Sequence, residues 1–67
     1  MNDQLEHEIA CAIAQATRQR EVAEQAFAEA RVALSMAAKG AMLDRGRRAL
    51  LAAEYHEGCA TRLARRR

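Results

Sequence analysis

The chain has 67 residues and a net charge of +2, with 11 Lys or Arg against 9 Asp or Glu. A chain this short buries only about 60% of its unfolded surface, so a disulfide, a metal or a second copy normally adds stability. No stretch approaches the roughly 20 apolar residues that cross a bilayer, and the acidic start lacks the positive segment of a signal peptide. We therefore expect one cytoplasmic domain with reduced cysteines and no membrane contact.

The composition predicts an all-α fold. The sequence contains no Pro and no Trp, three Gly, one Phe and one Tyr, and it is rich in Ala, Glu, Arg and Leu. These are the strongest helix formers. No window shows the alternating β-branched and aromatic residues of a strand.

The first predicted helix spans residues 3–38. Asp3 is a candidate N-cap, with Glu6 three residues on in a capping-box arrangement. The apolar pattern then continues to Lys39, and Gly40 is a natural C′ residue because it adopts the left-handed conformation readily. The sequence therefore predicts the turn at residues 39–43.

The second predicted helix spans residues 44–65. Asp44 is a candidate N-cap, but Gly46 leaves the start open between residues 41 and 47. Gly58 lies inside this helix and costs about 1 kcal/mol relative to Ala.

Small residues recur every seven positions in both predicted helices, as in the seam of a coiled coil. The small row of the first helix is Ala16, Ala23, Ala30 and Ala37, and that of the second is Gly46, Ala53 and Ala60. A second row in the first helix carries Ile13, Arg20, Phe27 and Leu34. Matched small rows let two helices approach closely. They predict an antiparallel hairpin of 67 residues as a single unit.

A turn at Gly40 leaves the two helices unequal in length, with residues 3–12 projecting past the second helix. This projecting part carries an apolar stripe that needs a cover. We expect a second copy to provide it, giving a homodimer and a four-helix bundle. The predicted dimerisation residues are Leu5, Ile9, Ile13, Phe27 and Leu34.

Two His/Cys pairs stand at helical spacing, His7 with Cys11 and His56 with Cys59. Together they have the composition of a Cys₂His₂ zinc site. The heptad pattern places them away from the seam and in different parts of the hairpin, so no metal and no cofactor is predicted. Catalysis is not predicted either, because Ser35 lies far from both histidines and no phosphate-binding loop is present. We expect no small-molecule substrate.

Arg20 is the charged member of the large-residue row. One interpretation is that its stem covers the core while its head reaches Glu24 on the same helix. The other is that it is a polar residue that sets the register between helices.

Arginines concentrate near the C-terminus. With a turn at Gly40, six guanidinium groups meet at the open end of the hairpin, namely Arg18, Arg20, Arg62, Arg65, Arg66 and Arg67. Such a cluster suits phosphates, an acidic target protein, or the acidic N-terminal segment of a partner chain. The predicted partner-binding residues are Arg62, Arg65, Arg66 and Arg67.

In length and in its layout of Asp3–Lys39, Gly40 and a second helix, the chain resembles the small hairpin proteins with which temperate phages disable host regulators, such as quorum-sensing anti-activators. The resemblance implies a cytoplasmic inhibitor that binds a host protein, and it transfers no binding residue. The alternative is a nucleic-acid-binding dimer. In its Ala-rich seam the chain also resembles the plasmid copy-number regulator that binds paired RNA loops as a four-helix dimer.

Overall fold

A computed structural model describes residues 3–67 as two antiparallel helices. Helix α1 spans Asp3–Arg31 and helix α2 spans Met36–Ala64, and each has 29 residues. The described part contains no strand, which confirms the all-α prediction. Its Cα atoms extend over 54 × 13 × 11 Å, the dimensions of one helix pair. Neither helix of this part is long and apolar enough to cross a membrane.

The turn between the helices lies at residues 32–35 and is set by a serine cap. Ser35 has extended backbone angles (φ −128°, ψ 155°), and its Oγ accepts a hydrogen bond from the backbone N–H of Ala38 at 3.0 Å. That bond satisfies one of the otherwise free N–H groups in the first turn of α2. On the other side, the N–H of Val32 donates to the carbonyl of Glu29 at 3.2 Å and closes the end of α1.

The predicted turn at residues 39–43 is therefore wrong. Gly40 lies inside α2, and no glycine among the described residues has a positive φ. The left-handed cap that made Gly40 attractive is not used. Asp44 is likewise not an N-cap, because it lies a further turn into α2 and pairs with Arg47 at 3.4 Å.

The earlier turn makes the helices equal, so no segment projects at the open end. Arg67 Nη1 lies 3.1 Å from Glu6 Oε1, which places the C-terminal residue beside the first turn of α1. The prediction that residues 3–12 overhang their own hairpin is wrong for this reason.

The core is a double row of small residues. The buried apolar side chains are Ile9, Ala16, Ala23, Ala26, Ala30, Ala49 and Ala53, joined by Gly46. Five members of the small rows predicted from the sequence lie in this core, whereas Ala60 is half-buried and Ala37 lies exposed in α2. Phe27 lies over Gly46 so closely that a Cβ there would stand 2.5 Å from its ring. Any larger residue at position 46 would therefore force the Phe27 ring or the backbone to shift.

Most of the large apolar residues remain in contact with water. Among residues 3–67 no large side chain is fully buried, and the large apolar residues that lie exposed are Ile13, Val32, Leu34, Met36, Leu51 and Tyr55. The surface area is 4990 Å², whereas a compact monomer of 7.4 kDa exposes about 4,200 Å² by the usual scaling with mass. The hairpin alone thus leaves an excess of about 800 Å².

Candidate interaction surfaces

A bidentate ion pair joins the two helices near the middle of the hairpin. Arg20 donates from Nε to Glu57 Oε2 at 2.8 Å and from Nη2 to Glu57 Oε1 at 2.7 Å. The hydrogen bonds from Arg20 lower the pKa of the Glu57 carboxyl, and Glu57 in turn raises the pKa of Arg20. Of the two interpretations of Arg20, the contact to Glu24 is not the one observed. The residue links the two helices.

An apolar groove of about 410 Å³ begins beside this ion pair and runs to the open end of the hairpin. Its walls include Ile9 and Ile13 from α1, with Ala60 and Ala64 from α2. The Arg20–Glu57 pair borders the groove, and Arg67, which binds Glu6, also lines it. The groove is therefore a patch of small and aliphatic side chains between two interhelical ion pairs.

The same side of the hairpin continues past the ion pair towards the turn. Seven residues on from Arg20 is Phe27, and seven before Glu57 is Leu50, both half-buried. We call this side the ion-pair face. It consists of Ile13, Arg20 and Phe27 on α1 and of Leu43, Leu50, Glu57 and Ala64 on α2.

The predicted dimerisation residues do not all share a location. Ile9 is buried at 7% exposure, whereas Ile13 is 52% exposed. Phe27 is half-buried on the ion-pair face, and Leu5 is half-buried near the N-terminus. Leu34 lies in the turn with its side chain fully exposed. Ile13 and Phe27 are thus the members with partly free apolar surface on one common face.

Arginines occupy the far side of α2. Positions separated alternately by three and four residues share one side of a helix. This spacing joins four exposed arginines with Tyr55 in one stripe, which we call the arginine stripe: Arg45, Arg48, Tyr55, Arg62 and Arg66. Sequence reasoning missed it because it counted arginines near the C-terminus and did not sort α2 by face.

The predicted C-terminal cluster is therefore divided. Arg62 and Arg66 belong to the arginine stripe, and Arg62 donates to Cys59 Sγ at 3.2 Å. Arg67 is held by Glu6, and Arg65 lies off the stripe. Arg20 binds Glu57 half-way along the hairpin, so the predicted meeting of six guanidinium groups at the open end is wrong.

The His/Cys pairs stay local. His7 Nε2 and Cys11 Sγ lie 3.5 Å apart on α1, while the ring of His56 packs edge-on against Tyr55 on α2. Within residues 3–67, no three His, Cys, Asp or Glu side chains come together as metal ligands. Ser35 is engaged as the cap of α2.

No family model, no curated protein and no solved structure matches this chain.

Proposed function

We propose that this protein is a non-catalytic homodimer of helical hairpins, a four-helix bundle, that binds another protein and inhibits it. The target proposed is a host regulatory protein, which the dimer would occupy as an anti-activator. This choice of target, and the phage origin that goes with it, is supported by the length and hairpin layout of the chain.

The observation that carries the homodimer is the excess exposed area. A standard protein interface buries about 800 Å² on each partner, and the single hairpin exposes about 800 Å² more than a compact chain of its mass. A lone helix pair with an alanine core also gains little from burial, since large side chains supply most of the hydrophobic free energy. A second copy would cover the excess exposed area and would add buried contacts between large apolar side chains.

The oligomeric state is tested by light scattering and sedimentation equilibrium over a range of micromolar concentrations. The proposal expects a mass of twice 7.4 kDa. A mass that stays at 7.4 kDa throughout this range would refute the homodimer.

For the target, we propose the arginine stripe as the binding surface and an acidic protein as the partner. Arg45, Arg48 and Arg66 form no ion pair within residues 3–67. Exposed unpaired arginines increase the association rate with an acidic surface and favour the correct orientation.

The target is sought by capture from a bacterial lysate on the tagged protein, with nuclease added. Two variants each remove two positive charges: Arg48→Gln/Arg62→Gln on the stripe, and Arg47→Gln/Arg65→Gln off it. At roughly 0.5 kcal/mol for each exposed ion pair, the stripe variant should bind the captured protein about fivefold more weakly. Equal binding by both variants contradicts the stripe assignment.

The second candidate function is nucleic-acid binding, and the arginine stripe also favours it. Arg48 and Arg62 lie on either side of Tyr55 along the same face of α2, and basic side chains bind the phosphate backbone. The two functions differ in their response to salt, because phosphate binding weakens log-linearly as counterions are released. Capture that is lost with nuclease, with a steep salt slope, selects this candidate over the protein inhibitor.

A further inference from the structure

We infer that the second copy docks on the ion-pair face with the two-fold axis parallel to the helices, so that both turns lie at the same end of the bundle. This inference rests on the proposed homodimer and specifies its interface and orientation. It is carried by the charges and the sizes of the side chains along the face.

The choice of face follows from comparing the two sides of the helix seam. The ion-pair face carries the apolar groove of about 410 Å³ and Ile13, which is 52% exposed, with charges at the central Arg20–Glu57 pair and at the Glu6–Arg67 pair of the open end. On the opposite side of the seam, the corresponding seven-residue positions are already buried or half-buried: Leu5, Ala12, Gln19 and Ala26 on α1, with Met42, Ala49, His56 and Leu63 on α2. An open groove and a projecting apolar side chain on the same face allow two copies to pack with the close shape complementarity of an interface core, so the second copy is expected on the ion-pair face.

A face-to-face dimer has two simple two-fold arrangements. With the axis parallel to the helices, α1 packs on the partner's α2, and Arg20 meets the partner's Glu57. With the axis perpendicular to the helices, α1 packs on the partner's α1, and Arg20 meets the partner's Arg20. The first arrangement closes a ring of alternating charges. The second stacks like charges, which is unfavourable at an interface.

Side-chain size supports the same arrangement. With the parallel axis, Ile13 enters the partner's groove beside Ala64, where small side chains leave room. Glu6, already bonded to Arg67 of its own chain, also faces the partner's Arg67. The perpendicular axis would instead place this end pair against the apolar turn end of the partner, where Leu43 lies. Burying charges against leucine without new partners is costly.

The first test is charge reversal. Arg20→Glu places four carboxylates at the centre of the proposed interface, so the dimer dissociation constant should increase at least tenfold. The double variant Arg20→Glu/Glu57→Arg restores alternating charges and should bring the constant back towards that of the wild type. Arg18→Glu is the control, because Arg18 is exposed and lies off the face. Sedimentation equilibrium gives the constants, and circular dichroism checks the helix content.

The outcomes separate this inference from the proposed function. A wild-type protein that is always monomeric refutes the homodimer itself. A wild-type dimer that persists unchanged in Arg20→Glu leaves the homodimer standing and overturns the ion-pair face. If the double variant retains its helix content but its dimer dissociation constant stays as high as that of Arg20→Glu, the assignment of the ion-pair face is also overturned.

The second test measures orientation. Val32 is 75% exposed at the turn, so a spin label on Val32→Cys, with Cys11 and Cys59 replaced by Ser, reports the distance between the turns. Helices pack 8–10 Å apart, so a parallel axis places the two labels within about 30 Å. A perpendicular axis places them at opposite ends of a molecule 54 Å long. A double electron–electron resonance distance near that length would overturn the orientation.

Discussion

The ion-pair face and the arginine stripe both run along the hairpin, but they differ in whether their arginines form ion pairs. On the ion-pair face, Arg20 gives both its Nε and Nη2 hydrogens to Glu57, and apolar residues flank the pair. On the arginine stripe, Arg48 has no ion-pair partner within residues 3–67. A net charge of +2 conceals this division. We propose that the ion-pair face contacts a second copy and that the arginine stripe binds an acidic partner.

The largest expected effect comes from replacing one of two neighbouring leucines, Leu50 or Leu51, with glutamate. Leu50 lies half-buried on the ion-pair face, whereas Leu51 is 66% exposed off it. Burial of one leucine contributes about 1.5–3 kcal/mol, and the two-fold axis doubles the change. Leu50→Glu should therefore weaken the dimer at least about 100-fold, while Leu51→Glu should change the constant little. Sedimentation equilibrium on both variants would contradict the assignment of the face if their constants agreed.

The next effect distinguishes the two glycines of α2. A Cβ at Gly46 would stand 2.5 Å from Phe27 Cε1, whereas a Cβ at Gly40 meets nothing within 4 Å. Gly40→Ala should stabilise the protein by up to about 1 kcal/mol through helix propensity. Gly46→Ala has the same gain offset by about 1–3 kcal/mol of overpacking, for a net loss of up to about 2 kcal/mol.

Urea unfolding at one fixed protein concentration measures both changes, because the proposed dimerisation would make stability depend on concentration. Stabilisation by both substitutions would mean that Phe27 moves away from the ion-pair face without cost.

Ser35 lies on neither the ion-pair face nor the arginine stripe, so its substitution gives a reference value for a change in stability alone. Ser35→Ala removes the bond to the Ala38 N–H and should cost about 1 kcal/mol. Ser35→Asp keeps a side-chain oxygen in place and should recover most of that loss. Thermal unfolding provides the measurement. If Ser35→Ala left stability unchanged, the cap would not determine where the turn forms.

The smallest effect is the pH dependence of the ion-pair face. Arg20 lowers the pKa of Glu57, so the stabilisation is complete above the ordinary glutamate pKa and is lost as the pH falls through the lowered one. The melting temperature should therefore fall in acid, and Glu57→Gln should reduce this slope. Glu21→Gln is the control, because Glu21 forms no ion pair among the described residues. Equal slopes in the two variants would remove Glu57 as the source.

Residues at the turn show how sequence reasoning went wrong. Leu34 and Ala37 continue the seven-residue pattern of the first helix, so periodicity alone extends that helix to Gly40. The Ser35 cap was the competing signal, since serine is favoured at an N-cap when its hydroxyl can reach a backbone N–H. A serine inside a strongly helical pattern does not reveal which role it takes. That depends on whether the alanine rows of the two helices can meet.

The sequence by itself determined the helical composition and the small rows that form the core, because helix propensity and seven-residue spacing are local properties. The contact between Phe27 and Gly46 could not be predicted from the sequence, because it depends on how the two helices are aligned. Only the tertiary structure decided the register between the helices, since that register follows from the position of the turn. Because the turn lies at Ser35 and not at the predicted Gly40, Arg20 pairs with Glu57 on the other helix and Arg67 pairs with Glu6. The faces of the hairpin, and with them its proposed contacts, follow from that register.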